Sequence, residues 1–266
     1  MSTLAATIEG IGLWAPGLPS WDAFVARCRG GDAPADAPAR PAPALLPPNE
    51  RRRAPDTVLV ALQAAHAACE AAGRDPTTLP SVFASTYGDL AITDHLCATL
   101  ARAPTEVSPI RFHNSVHNAA AGYWTIGTGA MQPATALSAG EGSFALGLLD
   151  ALAQLEAGAP AVLLVGYDGA AVGPLVDVVR SEGLLGVALV LAREARDATV
   201  PCLALETAPA TAAIDAPPAG ISAGNAMAPA LALLAALARR EAAAILPAGN
   251  GHAFRIAIDN AGGAHG

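Results

Sequence analysis

Met131–Asp150 reads MQPATALSAGEGSFALGLLD, and this stretch decides the fold. Pro133–Leu137 is an extended, β-leaning run that breaks at Ser138-Ala139-Gly140. A tight turn at Glu141-Gly142 leads into a helix whose Leu146, Leu149, Leu152 and Leu155 recur at helical spacing. Strand, sharp turn and helix N-terminus make a place where enzymes hold a nucleophile. The first helical turn presents free N–H groups and partial positive charge, which stabilise an anion. The tip offers Leu137, Ser138, Glu141 and Ser143, and no cysteine.

With 266 residues the chain has ample core for one large domain or two modest ones. It is 53% hydrophobic, 14% charged and poor in aromatics, and alanine carries much of the apolar content. Alanine favours helix and close approach, which predicts tightly packed layers. A net charge of −8 argues against a nucleic-acid groove. No apolar run approaches ~20 uninterrupted residues, so no membrane span is predicted. The start MSTLAATIEG lacks the basic region of a secretory signal, and Cys28, Cys69, Cys97 and Cys202 are scattered without a CxxC pair. Both features predict a cytoplasmic protein with reduced thiols.

Outward from the central stretch, strands and helices alternate. Ala6–Leu13 is a strand, and Trp21–Arg29 a short helix with Ser20 as N-cap. Residues 32–48 are rich in proline and alanine and predict a mobile surface loop. Arg51-Arg52-Arg53 reads as a solvated approach to the next helix, or as a surface for an acidic partner. Asp56–Ala72 is a helix, capped by Asp56 and stopped by Gly73, with Leu59, Leu62, Ala65 and Cys69 on one face. Ser81–Ser85 is a strand and Ala91–Ala101 a helix. Pro109–Asn118 is a loop with His113 and His117, and Ala119–Gly127 a helix with Trp124 inward. Ala161–Val165 and Leu185–Leu191 are fully apolar strands, as in a sheet covered on both faces. A strand at Leu203–Thr207, a helix at Ala228–Arg240 and a strand at Phe254–Asp259 follow, and 260–266 reads as a frayed tail. The alternation implies an α/β layered domain.

Several of these pieces resemble, in order, a β-ketoacyl synthase of the thiolase-like superfamily. Ile8–Pro16 (IEGIGLWAP) is similar to the family's opening strand, and Trp21–Gly31 to its "W..L..G" helix. Asn118–Gly122 (NAAAG) resembles the asparagine-led helix ahead of the active-site strand, and Pro133–Gly140 (PATALSAG) the nucleophile motif "P…TACSSG". Ala157–Gly166 and Glu182–Leu191 (EGLLGVALVL) resemble "aG..d.alvGG" and "EGAGALVL". Gly224–Ala236 is similar to "GHt..aaG..gl.ka", and Gly249–Ile258 to an altered "fGfGGtNa.lvl". The resemblance implies a thiolase-like α/β sandwich with a mixed sheet between helices. Residues 1–192 would be the complete first half and 193–266 an abbreviated remnant of the second.

The departures from the motifs carry the functional expectation. Leu137 stands where the family has its acyl-accepting cysteine, and Asn225 where it has a catalytic histidine. Leucine cannot attack, and asparagine cannot exchange protons near neutral pH. The glycine/threonine-rich loop with the family's other histidine has no counterpart between Thr207 and Gly224. Condensation needs a thiolate and two histidines. The resemblance therefore implies a non-catalytic chain-length factor. It would form a heterodimer with an active ketosynthase in polyketide, aryl-polyene or fatty-acid-like biosynthesis, and meet an acyl carrier protein. No metal or cofactor is implied. In the family the strand before the nucleophile pairs across the dimer axis. That places Gly129, Met131, Pro133, Thr135 and Leu137 at the interface, with His113, His117 and Asn118 beside them.

Beside a structural remnant with no partner, two rival readings stay open on the residues. One is a serine-dependent acyl hydrolase or transferase using Ser138 or Ser143. The glycines around Ser143 miss the G-x-S-x-G offsets, however, and helix capping explains that serine. The other is a malonyl decarboxylase, with Glu141 near the tip as its polar group. His113 and His117, four apart, would share a helix face but lack the intervening glutamate of a zinc helix. His66, among alanines on the helix Asp56–Ala72, reads as a surface or interface residue, His95 has no partner in sequence, and His252 reaches the tip only if the tail folds back. Asp168 ends an apolar strand and reads as a turn-forming carboxylate.

Overall fold

The computed structural model describes residues 4–194, 200–209, 212–216 and 221–260. The elements in chain order are β1 (Leu4–Trp14), α1 (Trp21–Cys28), α2 (Pro48–Arg53), α3 (Asp56–Ala72), β2 (Ser81–Ala84), α4 (Leu90–Arg102), α5 (Pro109–Asn114) and α6 (Ala119–Thr128). There follow β3 (Ala134–Leu137), α7 (Ser143–Glu156), β4 (Ala161–Asp168), β5 (Leu185–Ala192), β6 (Cys202–Ala208), α8 (Ala230–Arg239), β7 (Ala243–Gly249) and β8 (His252–Asp259).

All eight strands join one mixed sheet in the order β3-β2-β4-β5-β1-β6-β8-β7. β3, β2 and β4 run parallel, and every other neighbouring pair is antiparallel. β2, β4, β5 and β1 are covered on both faces, as the apolar strands predict, whereas among the described residues β6, β8 and β7 join only the core beneath α8. In β4, Val162 and Leu164 enter the core beneath α1, α7 and α8, whereas Leu163, Val165 and Tyr167 enter the core beneath α3 and α6. β5 alternates the same way, with Val187, Leu189 and Leu191 against Ala188 and Val190. The result is an α/β/α sandwich of the thiolase-like kind.

α3 packs on β1 almost without side chains between them. A Cβ at Gly12 would lie 1.9 Å from Ala64 O, and one at Gly10 2.1 Å from Ala68 O. Glycine in the strand and alanine in the helix let the two backbones touch. Beside this contact the strand bulges between Ile8 and Gly10. Arg74, just past α3, holds Glu9 through two nitrogens at 2.6 and 2.9 Å.

Several boundaries differ from the sequence reading. α3 spans the expected residues, but Asp56 does not cap it; its carboxylate receives Arg40 Nε at 2.6 Å, and Pro55 precedes the helix. The proline-rich stretch is irregular to Pro47 and is anchored by Arg40 and by buried Leu46. Pro48 opens α2, so Arg51–Arg53 are helical rather than an approach segment. Pro109–Asn114 is a helix rather than a loop, because Pro109 stands at a first-turn position where its missing N–H costs nothing. In α7 the buried stripe is Phe144, Leu148, Ala151, Leu152 and Leu155, while Leu146 and Leu149 sit at its margin. Spacing by threes drifts off a 3.6-residue period, and the true stripe follows the period. β7 escapes the sequence reading because its alanines look like a continuation of α8. The tail 261–266 lies outside the described residues. Among the described residues no helix is long and apolar enough to cross a membrane.

The Gly12 contact yields a test. Gly12→Ala should cost roughly 3 kcal/mol in urea unfolding, since backbone rather than a flexible side chain would have to move. Gly122→Ala in α6 meets nothing within 4 Å. It should be neutral or stabilise by up to ~1 kcal/mol.

Candidate functional site: the strand–turn–helix elbow

Among the described residues β3 lies at the sheet edge with β2 as its sole neighbour. Ser81 N–H donates to Pro133 O at 3.0 Å and Ser85 N–H to Leu137 O at 3.2 Å. These two bonds set the phase of the ladder. Residues 133, 135 and 137 turn their backbone toward β2, and Ala134 and Ala136 turn theirs to the open side. Leu137 ends the strand half-buried, packed against the core beneath α7.

The chain then reverses. Gly140 takes a left-handed φ of 58°, which favours glycine, and Ser143 N–H donates to Gly140 O at 3.1 Å. Buried Ser143 donates its hydroxyl to Gly140 O at 2.7 Å and accepts from Ala139 N–H at 3.0 Å. Ser143 thus stitches the turn shut; it does not cap α7, which has no side-chain cap. Ser138 donates its hydroxyl to Thr86 O at 2.9 Å. Both serine protons go to main-chain carbonyls, and neither hydroxyl has a histidine partner among the described residues. That is not the geometry of an activated nucleophile. Glu141 is exposed at the tip.

The loop after β2 holds the elbow in place. Asp168, buried at the C-terminal end of β4, accepts from Ser85 Oγ at 2.7 Å, Thr86 N–H at 3.0 Å and Tyr87 N–H at 3.3 Å. Ser85 Oγ in turn accepts from Gly88 N–H at 2.9 Å. Thr86 then receives Ser138 through its carbonyl. Burial pushes the Asp168 carboxyl above its ordinary range, and the hydrogen bonds from Thr86, Ser85 and Tyr87 offset part of that rise.

Asn225 grips the same strand end from behind. Its amide donates to Asp168 O at 3.2 Å and Glu182 O at 3.0 Å, and its side-chain oxygen accepts from Met227 N–H at 2.9 Å. Buried and satisfied at all three, it works as a bracket between loops. A chain of bonds from Asn225 through Asp168 and Thr86 therefore reaches Ser138, the residue after Leu137 at the tip of β3.

His113 and His117 do not share a helix face. His113 lies in α5, its ring 6.4 Å from that of Tyr123. His117 lies in the turn beyond, with Nε2 3.0 Å from Ser85 O, and Tyr167 donates its hydroxyl to His117 O at 3.3 Å. Asn118 opens α6 without a side-chain cap bond. The β7–β8 turn does return to the elbow: a Cβ at Gly142 would lie 2.6 Å from Ala248 C. His252, at the start of β8, is exposed. Among the described residues no group of three or more His, Cys, Asp or Glu is placed to hold a metal ion. The sequence reading missed the loop Ser85–Gly88; its only signal is a Ser-Thr pair ending one parallel strand beside an aspartate ending the next.

Residues 25–252 match the family described as the β-ketoacyl synthase N-terminal domain. The chain belongs to this family. No curated protein sequence is close enough to count as a relative of this β-ketoacyl synthase-like chain. Its fold recurs in solved structures. One is the ketosynthase ApeO in complex with its chain length factor ApeC from Xenorhabdus doucetiae, with TM-score 0.73 and 24% identity over 95% of this chain and 99% of the matched one. A second is the ishigamide ketosynthase/chain length factor, with TM-score 0.66 and 20% identity over 97% and 99%. A third is the AntDE:AntF complex, a type II PKS acyl-carrier protein with its ketosynthase bound to the hexaketide, at 0.70 and 12% over 97% and 99%.

The Asp168 bracket makes a signed prediction. A carboxyl with a raised folded-state pKa keeps its proton to higher pH in the folded than in the unfolded chain. Its contribution to stability is therefore fully present below the ordinary 3.8 and falls as pH rises through the window above it. Asp168→Asn should cost ~1–3 kcal/mol, because one oxygen must replace two as acceptor. The stability gap between wild type and variant, followed by urea unfolding from about pH 4 to 7, should shrink as pH rises. A gap that widens would mean that the three donors outweigh burial, and contradicts the raised carboxyl.

Proposed function

We propose that this chain is a non-catalytic, chain-length-factor-like subunit that pairs with an active ketosynthase through the open edge of β3. The observation that carries this reading is the contrast between the two sheet edges. At the far edge, the antiparallel ladder turns Ala243, Ile245 and Pro247 of β7 outward. Proline has no N–H to offer, and Ile245 N–H already donates to Asp215 Oδ2 at 2.7 Å. That edge is blunted in the way single chains avoid edge pairing. Among the described residues the β3 edge carries no such device. Ala134 and Ala136 leave their backbone groups open, and Met131 beside them is 94% exposed and Ile126, on α6, 81%. An open strand flanked by bare apolar side chains is built to receive another strand.

Leu137 at the tip and the serine hydroxyls committed to carbonyls support a subunit without acyl-transfer chemistry of its own. The relatives of similar length whose descriptions pair a ketosynthase with a chain length factor point the same way. An acyl carrier protein is the further partner we expect to meet the complex, as one meets the ketosynthase in the AntDE:AntF structure. On this reading Gly129, Met131, Pro133, Thr135 and Leu137 meet the partner, with His113, His117 and Asn118 nearby. Residues 193–266 are then the abbreviated second half.

Ala136→Pro removes an outward N–H and leaves the β2–β3 ladder whole. It should abolish co-purification with the native ketosynthase while circular dichroism stays unchanged. Leu137→Ala should keep the complex and change product length. If Ala136→Pro co-purifies as well as wild type, the interface lies elsewhere. Incubation with acyl- and malonyl-loaded carrier protein should leave the intact mass of the chain unchanged. An adduct on Ser138 or Ser143, lost on mutation to alanine, would establish the serine chemistry instead.

A further inference from the structure

Far from the elbow, β6, β8 and β7 bury one face only. Leu203, Ile256, Ile258, Ala244 and Leu246 enter the core beneath α8, and among the described residues no side chain of these strands joins the core beneath α3 and α6. Alternate residues point outward. The register lines them up in rows that cross the strands. Ala5, Ala204, Ala257 and Ala243 stand opposite one another in one row. Glu206, Arg255 and Ile245 form the row on one side of it, and Cys202 and Asp259 the row on the other. The middle row is flat, with Ala5 exposed and the other three alanines half-buried. Arg255 and Asp259 lie two residues to either side of Ala257 on β8. Arg255 donates to Glu206 at 2.8 Å, and its side chain is 43% exposed, which leaves room for a second acceptor. Asp259 is exposed and has no ion pair or hydrogen bond among the described residues.

We propose that this face is a contact between two copies of this chain, related by a two-fold axis along the alanine row and closed by two Arg255–Asp259 ion pairs. A contact of this symmetry requires a patch that is complementary to itself. When two such faces meet about that axis, every residue keeps its strand and crosses to the other side of the axis. β8 then lies over β8, Ala257 over Ala257, and each Arg255 over the Asp259 of the second copy. The alanines put no long side chain in the way, and the charges that remain are opposite where they meet. The patch is small, which makes the dimer weak and reversible rather than obligate. The proposal does not rest on the β3 pairing, since β3 lies at the other end of the sheet and both contacts can form together.

The test is sedimentation velocity of the full chain as its concentration is raised from the micromolar to the millimolar range. Reversible dimerisation is expected, and added salt should weaken it. Arg255→Asp and Asp259→Arg each set like charges against each other at both ends of the contact, so either variant alone should stay monomeric. Mixed in equal amounts the two should dimerise with each other, because one chain then presents aspartates and the other arginines at both positions. Circular dichroism will verify that each variant is folded. Ala136→Pro should dimerise as wild type does, since it alters only the β3 edge. A chain that is monomeric at every concentration overturns the proposal. So does a dimer that survives either charge reversal, a mixture of the two folded variants that stays monomeric, or a dimer lost in Ala136→Pro.

Discussion

A buried carboxylate at the end of a central strand sets the geometry of the elbow. Asp168 has four neighbours to satisfy or be satisfied by: the Ser85 hydroxyl, the Thr86 and Tyr87 amides, and, through its own carbonyl, the Asn225 amide. Leaving any of these donors unpaired in the interior costs more than the bond itself contributes. The loop after β2 therefore has one place to go. Once it is there, Thr86 presents its carbonyl to Ser138, and the tip of β3 is fixed relative to β4 although the two strands never touch. His117 joins the same loop from the far side through Ser85 O. The tip that this loop fixes carries Leu137, which we propose stands in the place of a ketosynthase nucleophile.

The sheet is asymmetric in a way that bears on association. Its central strands β4 and β5 have both faces covered, and its two edges are treated in opposite ways. Pro247 and the Asp215 bond close one edge, at the cost of an irregularity in the β7–β8 ladder between Pro247 and Gly249. The other edge is four residues long and ends at the elbow. A short strand alone is a weak template. Joined to exposed Met131 and Ile126, it becomes a surface whose burial is favourable. Edge closure and edge opening on one sheet favour a single pairing over an open-ended stack.

What was legible in the sequence follows from how local the governing physics is. α3 is readable because Pro55 and Gly73 flank a continuous apolar stripe of seventeen residues. β4 and β5 are readable because burial on both faces leaves no polar alternation to confuse. β7 was hidden by composition: alanines and a proline read against strand, and only the pairing with β8 overrides them. The short helix α5 was hidden because six residues give no period to detect. The elbow itself was legible from Pro133 to Ser143, since turn chemistry is local. Its support was not, because Asp168 and Ser85 are 83 positions apart and nothing in either neighbourhood names the other. The direction in which each backbone amide of β3 points also depends on the β2 register, which the sequence does not carry.

The central claim is that β3, and not β7, is the edge that meets a partner. Amide hydrogen exchange resolved to single residues, on the chain alone and after addition of the ketosynthase from the same organism, tests it directly. The account predicts that the Ala134 and Ala136 amides exchange rapidly in the free chain and become protected on addition, while Ala243 is unchanged. Protection that appears along β7, with Ala134 and Ala136 still exchanging freely, contradicts it.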